Sequence, residues 1–424
     1  MLDYINTDYT PLKDELICEF YVRPHPTITF ETAAQNIAAE SSIGTWTDIS
    51  TMNPEVATRL RPTVFSIDKR KKHIKIAYPI ELFESGNIPQ MLSSIAGNIY
   101  GMKALDKLRL VDVHFPKKMM RSFKGPRHGI DGIRKIIKIK KRPLTGTIVK
   151  PKVGLSPQQH ANVAYEAWVG GLDIVKDDEN LTSMTFNPFD ERIKLTLKAR
   201  DEAQKKTGEY KMYMPNITAD TDEMIRRAEY VKRMGGEYIM IDILTAGFAS
   251  LQTIRNLNLG MVIHAHRAGH GAITRDPEHG MTMLVIAKLA RLIGVDQLHI
   301  GTVIGKMEGS AIEVSEIEEE IDSEFIPAKR KSHHLEQSWD RIKPVFPVCS
   351  GGLHPGHVPK LLKLMGTNII AQFGGGCHGH PDGTRSGAMA IRQAVTAAMK
   401  KQKLETAAKR HPELARALEK FGMK

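Results

Sequence analysis

The sequence predicts an α/β protein: a C-terminal parallel (β/α)8 barrel of the TIM type over residues 131–424, preceded by a smaller α+β domain, ferredoxin-like in kind, over 1–130. Three observations predict it. Eight short apolar runs recur from about residue 144, helical patterns separate them, and polar residues gather where the runs finish. Near-continuous apolar strands divided by helices mark a parallel sheet covered on both faces, and eight such strands close naturally into a barrel. At 424 residues the chain also exceeds one ordinary core, so a barrel of about 250 residues leaves room for a second domain.

The first 130 or so residues mix alternating segments, "ELICEFYVRP" and "KHIKIAYPIEL", with helical ones, "TFETAAQNIAAESS" and "NIPQMLSSIAGNIYGMKAL". A turn-rich basic stretch, "SFKGPRHGIDGIRK", then leads to the barrel runs "TGTIVK", "GLDIVK", "KMYMPN", "YIMIDI", "MVIHAH", "QLHIGT", "FPVCSG" and "IIAQFG". In such barrels the loops after the strands form the reaction face. Lys150, Lys176, His266 and His299, all at run ends, are therefore expected to point into one mouth. The chain closes with "AAMKKQKLETAAKRHPELARALEKFG", which reads as a charged surface helix or pair of helices.

Composition narrows the function classes. With 41% apolar and 25% charged residues, the chain is an ordinary globular mixture and not a disordered one. Its three cysteines, Cys18, Cys349 and Cys377, are too few and scattered for a disulfide framework or a CxxC metal site, which points to a reducing compartment. "MLDYINTDYT" lacks the basic start and apolar run of a signal peptide, and no stretch approaches the roughly 20 apolar residues of a membrane span. A cytoplasmic protein without a membrane partner is expected. The formal charge of +12 admits nucleic acid, an anionic membrane or a polyanionic small substrate. The densest basic runs, "DKRKKHIK" and "IRKIIKIKKR", lack interleaved aromatics on which bases could stack, so nucleic acid is not expected as a partner.

Burial cannot account for "GGLDIVKDDEN", where the apolar run Leu172 to Val175 ends in Lys176 followed by Asp177, Asp178 and Glu179. A plain salt-bridge cluster is one reading. Position favours another, because alternate residues at a strand end face the same way, and Lys176, Asp178 and then Glu179 can converge. Two carboxylates with room for water make a hard oxygen site suited to Mg2+. A protonated lysine would repel that ion, and the conflict vanishes if CO2 converts the amine to a carbamate.

Other run ends carry complementary chemistry. "GTIVKPKVGLSP" places Lys150 and Lys152 either side of a proline, which elsewhere is more often surface charge. "MVIHAHRAGHGAITR" contains an HxH pair that alone could bind zinc, and Arg267, whose fork of donors matches phosphate oxygens. "QLHIGTVIGKMEGS" sets Lys306 in a glycine-bounded loop of the kind that serves as a lid. "VCSGGLHPGH" and "AQFGGGCHGHPDG" end the last two runs, where exposed backbone N–H groups cradle phosphate in many barrels, although turns also want glycine.

Taken together, these motifs resemble the large subunit of ribulose-1,5-bisphosphate carboxylase/oxygenase, the RuBisCO family, over nearly the whole chain. The resemblance implies a lyase that joins CO2 to ribulose 1,5-bisphosphate and yields two 3-phosphoglycerates, with O2 competing. It implies Lys176 as the amine carbamylated by activator CO2, with Asp178 and Glu179 beside it as Mg2+ ligands. Lys150 becomes the acid/base lysine with Lys152 its neighbour, His266 approaches the reacting diol, Arg267 grips a phosphate, His299 contacts the distal phosphate, and Lys306 steadies the incoming gas. Ser350 and Gly351 are placed near the substrate, and Gly352, Gly374 and Gly375 at the proximal phosphate. "AAESSIGTWT" and "SIAGNIYGMKAL" resemble segments that reach across to a partner subunit, with Glu40, Thr45, Trp46 and Asn98. A homodimer, or an assembly of dimers, with shared active sites follows.

Within the family, the short N-terminus and compact length resemble the archaeal form III enzymes associated with AMP and nucleoside salvage, and the "GTIVK" wording, against "CTIK" in the plant type, resembles bacterial and archaeal relatives. Two rival enzymes remain. A RuBisCO-like enolase or isomerase typically loses several of the positions matching Lys150, Asn98 and Lys306, all present here. A carbamyl-lysine hydrolase carries its HxH pair on the first strand, whereas here the pair lies on the fifth, after the lysine.

Overall fold

The computed structural model describes residues 2–45, 47–304 and 311–423. The chain divides into two compact units. One comprises residues 1–125, 269–293 and 323–342, and the other 126–268, 294–322 and 343–424. A single boundary near 130 would give the segments 269–293 and 323–342 to the barrel.

The first unit is built on a five-stranded sheet in the order Gly280–Met281, Leu105–His114, Leu16–Pro24, His73–Tyr78, Thr63–Asp68. All neighbours are antiparallel except the short first strand. On the central strand Cys18, Phe20 and Val22 are buried at every second position, as the pleat requires. The helix Phe30–Glu40 buries Ala33, Ala34, Ile37 and Ala38, and the Thr29 side chain caps its start by accepting from Thr32 N at 3.1 Å. The helical pattern read from Asn87 onward stops early. Ile88–Ile95 is α-helical, and a tight 3-10 turn, Asn98–Gly101, follows. Gly97 makes the break, since a Cβ there would lie 2.0 Å from Ser93 O. Met283–Ile293 is buried all round, and within it Lys288 Nζ donates to Asp112 Oδ1 of the sheet at 2.8 Å.

The second unit contains eight parallel strands, here numbered one to eight along the chain: Leu144–Ile148, Ile174–Lys176, Met212–Met214, Tyr238–Asp242, Val262–His266, Gln297–Gly301, Phe346–Cys349 and Ile370–Gln372. Each of the eight apolar runs is one of them. Their order in the sheet is 3-2-1-8-7-6-5-4, and the Asn216–Met240 bridge, with Met240 N donating to Pro215 O at 2.8 Å, draws the two edges together into a barrel. Helices cover the outside, for example Pro157–Val169, opened by a capping box between Ser156 and Gln159, and Phe189–Thr207.

At the strand starts the helix Gly129–Ile137 inserts Ile130, Ile133 and Ile137 among Leu144, Ile174, Met212, Tyr238, Val262, Phe346 and Ile370. That end of the barrel is therefore packed core, which leaves the strand C-termini for chemistry. No described helix is long and apolar enough to cross a membrane.

Candidate active site

Strand two explains how one run of acids serves two purposes. Successive side chains of a strand alternate between faces, and the structure separates Asp177 from Lys176 and Asp178. Asp177 is buried toward the helix layer, where it accepts from Arg192 Nε at 3.1 Å, Tyr213 OH at 2.6 Å and Asn216 N at 3.0 Å, with His160 Nε2 at 3.1 Å. These partners outweigh the burial of the charge and hold its pKa at about 2. It is an anchor for the loop.

Lys176 and Asp178 belong to the opposite side. The Lys176 amine is buried, donates to Asp177 O at 2.8 Å, and has Glu179 Oε2 and Met240 Sδ each at 3.3 Å. Burial pushes its pKa below the ordinary lysine value, against the raising pull of Glu179, Asp178 and Asp242. Asp178 accepts from Lys150 Nζ at 2.6 Å and from Asn180 Nδ2 at 2.9 Å, and Asn216 Nδ2 holds Glu179 O at 3.0 Å. Burial raises the pKa of Asp178, but Lys150 and Asn180 lower it further, so the group stays ionised. Lys176 and His266 do the same for Glu179.

Strands four to seven complete the cluster. His266 Nδ1 lies 2.6 Å from Asp242 Oδ1, and its Nε2 lies 3.5 Å from Glu179 Oε2. Ala268 N donates to the same Nδ1 at 3.2 Å, so Asp242 and the loop backbone fix the ring through that atom and Nε2 faces Glu179. The His299 ring meets that of His266 edge-on at 4.7 Å between centroids, its Nδ1 pairs with Ser350 Oγ at 2.9 Å, and its buried Nε2 has no hydrogen-bond partner. Burial and the neighbouring His266 and His264 push its pKa well below the usual range, so the ring is neutral. Burial also lowers Arg267, to about 10, while Glu313 opposes the shift. Gly301 at the end of strand six makes room for that guanidinium, since a Cβ there would lie 2.7 Å from Nη2.

The structure thus brings Lys150, Lys176, Asp178, Glu179, His266, His299 and Ser350 together at the strand ends. Lys152 is exposed on the turn after strand one. Gly351 and Gly352 follow Ser350 with φ of 121° and 81°, a left-handed backbone that favours glycine. Gly374 lies beside Lys150, with a Cβ there 3.4 Å from Lys150 Cε, and Gly375 has open space where its Cβ would project. In the first unit Asn98 Nδ2 lies 3.4 Å from Glu40 Oε1, and Thr45 is half-buried. Trp46 and Lys306 lie outside the described residues.

Sequence reasoning missed Asp242, which orients His266, although it too ends an apolar run, "YIMIDI". It also missed His378, bridged between Thr147 Oγ1 at 2.8 Å and Thr384 Oγ1 at 3.0 Å, and Gln372, a buried amide without a hydrogen-bond partner.

A family profile described as "Ribulose bisphosphate carboxylase large chain, catalytic domain" matches residues 129–421, and the corresponding N-terminal domain matches 3–119. The chain is 51% identical over 422 residues to a protein of Methanosarcina barkeri named ribulose bisphosphate carboxylase, covering 99% of each. It is likewise 51% identical over 425 residues to the protein of that name from Methanocaldococcus jannaschii, again with 99% of each covered. Among solved structures, the dimeric archaeal Rubisco of Hyperthermus butylicus superposes with a TM-score of 0.95 at 48% identity, covering 99% of both chains. The octameric enzyme of Pyrococcus horikoshii, in complex with sulfate, gives 0.92 at 47% identity, covering 99% of this chain and 96% of that one. With profiles over both halves and relatives this similar along their full lengths, the chain belongs to the ribulose bisphosphate carboxylase large-chain family.

Proposed function

We propose that the chain is a ribulose-1,5-bisphosphate carboxylase whose reaction centre is the Lys176, Asp178 and Glu179 cluster. The observation that carries this reading is the burial of the Lys176 amine among carboxylates. A lysine must be neutral to attack CO2, and burial favours the neutral form. A carbamate on Lys176 adds a third anionic oxygen to those of Asp178 and Glu179, an all-oxygen set of the kind Mg2+ prefers, and Mg2+ bound there stabilises the negative charge that develops on the substrate oxygens.

The chain's own residues supply the remainder. Arg267 and the unpartnered His299 Nε2 offer donors to one phosphate of the bisphosphate, and the backbone N–H groups after Ser350 and Phe373 offer donors to the other. A carbamate on Lys176 would accept the C3 proton, and His266, fixed by Asp242, would sit beside the C2 and C3 oxygens of the resulting enediolate. CO2 then adds at C2, a step in which the family resemblance gives Lys306 the task of steadying the incoming gas. After water attacks C3 and the C2–C3 bond breaks, Lys150 delivers the last proton from Nζ, giving two 3-phosphoglycerates. O2 competes for the same enediolate.

Likeness to dimeric and octameric Rubisco structures supports a dimer or an assembly of dimers, while the form III assignment and the role in AMP and nucleoside salvage in the cytoplasm rest on the family resemblance of the sequence alone. The test is direct. The protein is incubated with ribulose bisphosphate, Mg2+ and labelled bicarbonate, and acid-stable label in phosphoglycerate is counted. Wild type is expected to fix label, and Lys176→Ala to lose at least about a thousandfold of that rate. Enolisation without fixed label would replace this reading with a RuBisCO-like isomerase.

A further inference from the structure

The first unit holds a second constellation that the carboxylation chemistry does not use. On the central strand Leu16–Pro24, Glu19 faces away from the core residues Cys18 and Phe20, yet its carboxylate is almost fully buried. Its Oε1 lies 3.0 Å from His73 Nδ1 and 2.6 Å from His333 Nδ1. The two imidazoles stack, with centroids 3.6 Å apart and planes 17° apart. One ligand atom from each of the three residues lies within 4.8 Å of the others, the one such group found among the described residues.

Three distant stretches build this cluster, and the backbone is constrained at two of them. His333 has φ of 59° and Lys72, just before His73, φ of 62°, both left-handed and both non-glycine. His333 rides on a turn closed by Lys329 N to His334 O at 2.9 Å and His334 N to Lys329 O at 3.1 Å. Such conformations cost free energy and persist where surrounding structure holds them.

We propose that Glu19, His73 and His333 form a site for one transition-metal ion of the imidazole-preferring kind, with Zn2+ foremost, tying the central strand to the 329–334 turn. Two nitrogens and one carboxylate oxygen are a three-ligand set that Zn2+ completes with water at bond lengths of about 2.0–2.2 Å, once the stacked rings turn apart so that both Nδ1 lone pairs meet the ion. Mg2+ and Ca2+ seek oxygen ligands and are disfavoured by the imidazoles. Lys75 Nζ, 3.6 Å from Glu19 Oε2, occupies the second carboxylate oxygen and leaves Oε1 to the histidines. This site is independent of the barrel oxygen cluster and of the reaction proposed for it.

The experiment uses the full-length protein, stripped with a chelator and returned to saturating Mg2+ so that the barrel acids are occupied. Zn2+ is titrated against a chromophoric chelator, and Co2+ binding is followed by visible absorption. Wild type is expected to take up about one Zn2+ per chain and to give the bands of a nitrogen–oxygen Co2+ site. His333→Asn, which tolerates a left-handed backbone, and Glu19→Gln should each weaken that uptake by at least about tenfold. Lys176→Ala should retain it. If Glu19→Gln fails to fold, His333→Asn on its turn decides alone. No tight Zn2+ in wild type, or equal uptake by wild type and folded His333→Asn, would overturn the proposal and leave a purely hydrogen-bonded His–Glu–His cluster.

Discussion

Lys176 is an amine whose burial and whose neighbours pull its proton in opposite directions, and burial wins. The sign has a measurable consequence. A folded-state pKa below the ordinary lysine value of about 10.4 means that neutral amine, the form that attacks CO2, accumulates at lower pH than in a free lysine. At fixed dissolved CO2 and Mg2+, the activation rate of stripped enzyme should therefore rise with pH and level off below the free-lysine range. A rate still climbing through about pH 10 would contradict the reading. Between the two pKa values the unfolded chain holds a proton that the folded chain lacks, so this residue adds stability as pH rises. At this scale the sequence was informative where a polar residue ended an apolar run, as Lys150, Lys176 and His266 do, whereas His299 lies in the middle of its strand. It was uninformative where a role depends on an unseen partner. Asp242 acquires its role from His266, twenty-four positions away in sequence but 2.6 Å away in space.

Strand alternation converts the three consecutive acids after Lys176 into a division of labour, and that division can be tested on the element. Asp177 clamps strand two to the helix Phe189–Thr207 through Arg192, and both partners are completely buried. Replacing Asp177 with Asn keeps the shape but leaves the Arg192 charge unpaired, which should cost about 3–5 kcal/mol of stability. Urea unfolding of Asp177→Asn against wild type measures it. The linkage sign follows from the depressed carboxyl: its contribution is present above the ordinary Asp pKa and is lost as pH falls toward about 2, so the difference between the two proteins should shrink in acid. The eight barrel strands were legible because each is buried on both faces and reads as an apolar run. The break at Gly97 and the grouping of 269–293 with the first unit were not, because both depend on what the chain meets after folding. The Glu19, His73 and His333 cluster escaped for the same reason, since its members share no local pattern.

At the scale of the whole molecule, Glu40 and Asn98, on the first unit, are tested by whether they serve an active site of another subunit. The resemblance assigns them, with Thr45 and Trp46, to the active site of a partner subunit, and the dimeric solved relative is consistent with such an assembly. Hybrid dimers test this without any knowledge of the interface geometry. Glu40→Gln and Lys176→Ala chains are each expected to be inactive, the first lacking the residue proposed to be lent across the dimer and the second the residue proposed to react with CO2. In a mixed dimer, the barrel of the Glu40→Gln chain retains Lys176 and receives Glu40 from its neighbour, which makes one complete site, while the other site lacks both. Co-expression of two differently tagged chains and tandem purification should therefore restore carboxylation to about half the wild-type rate per dimer. If each chain instead completed its own site, every site in the hybrid would lack one of the two residues, and purified mixed dimers would fix no label.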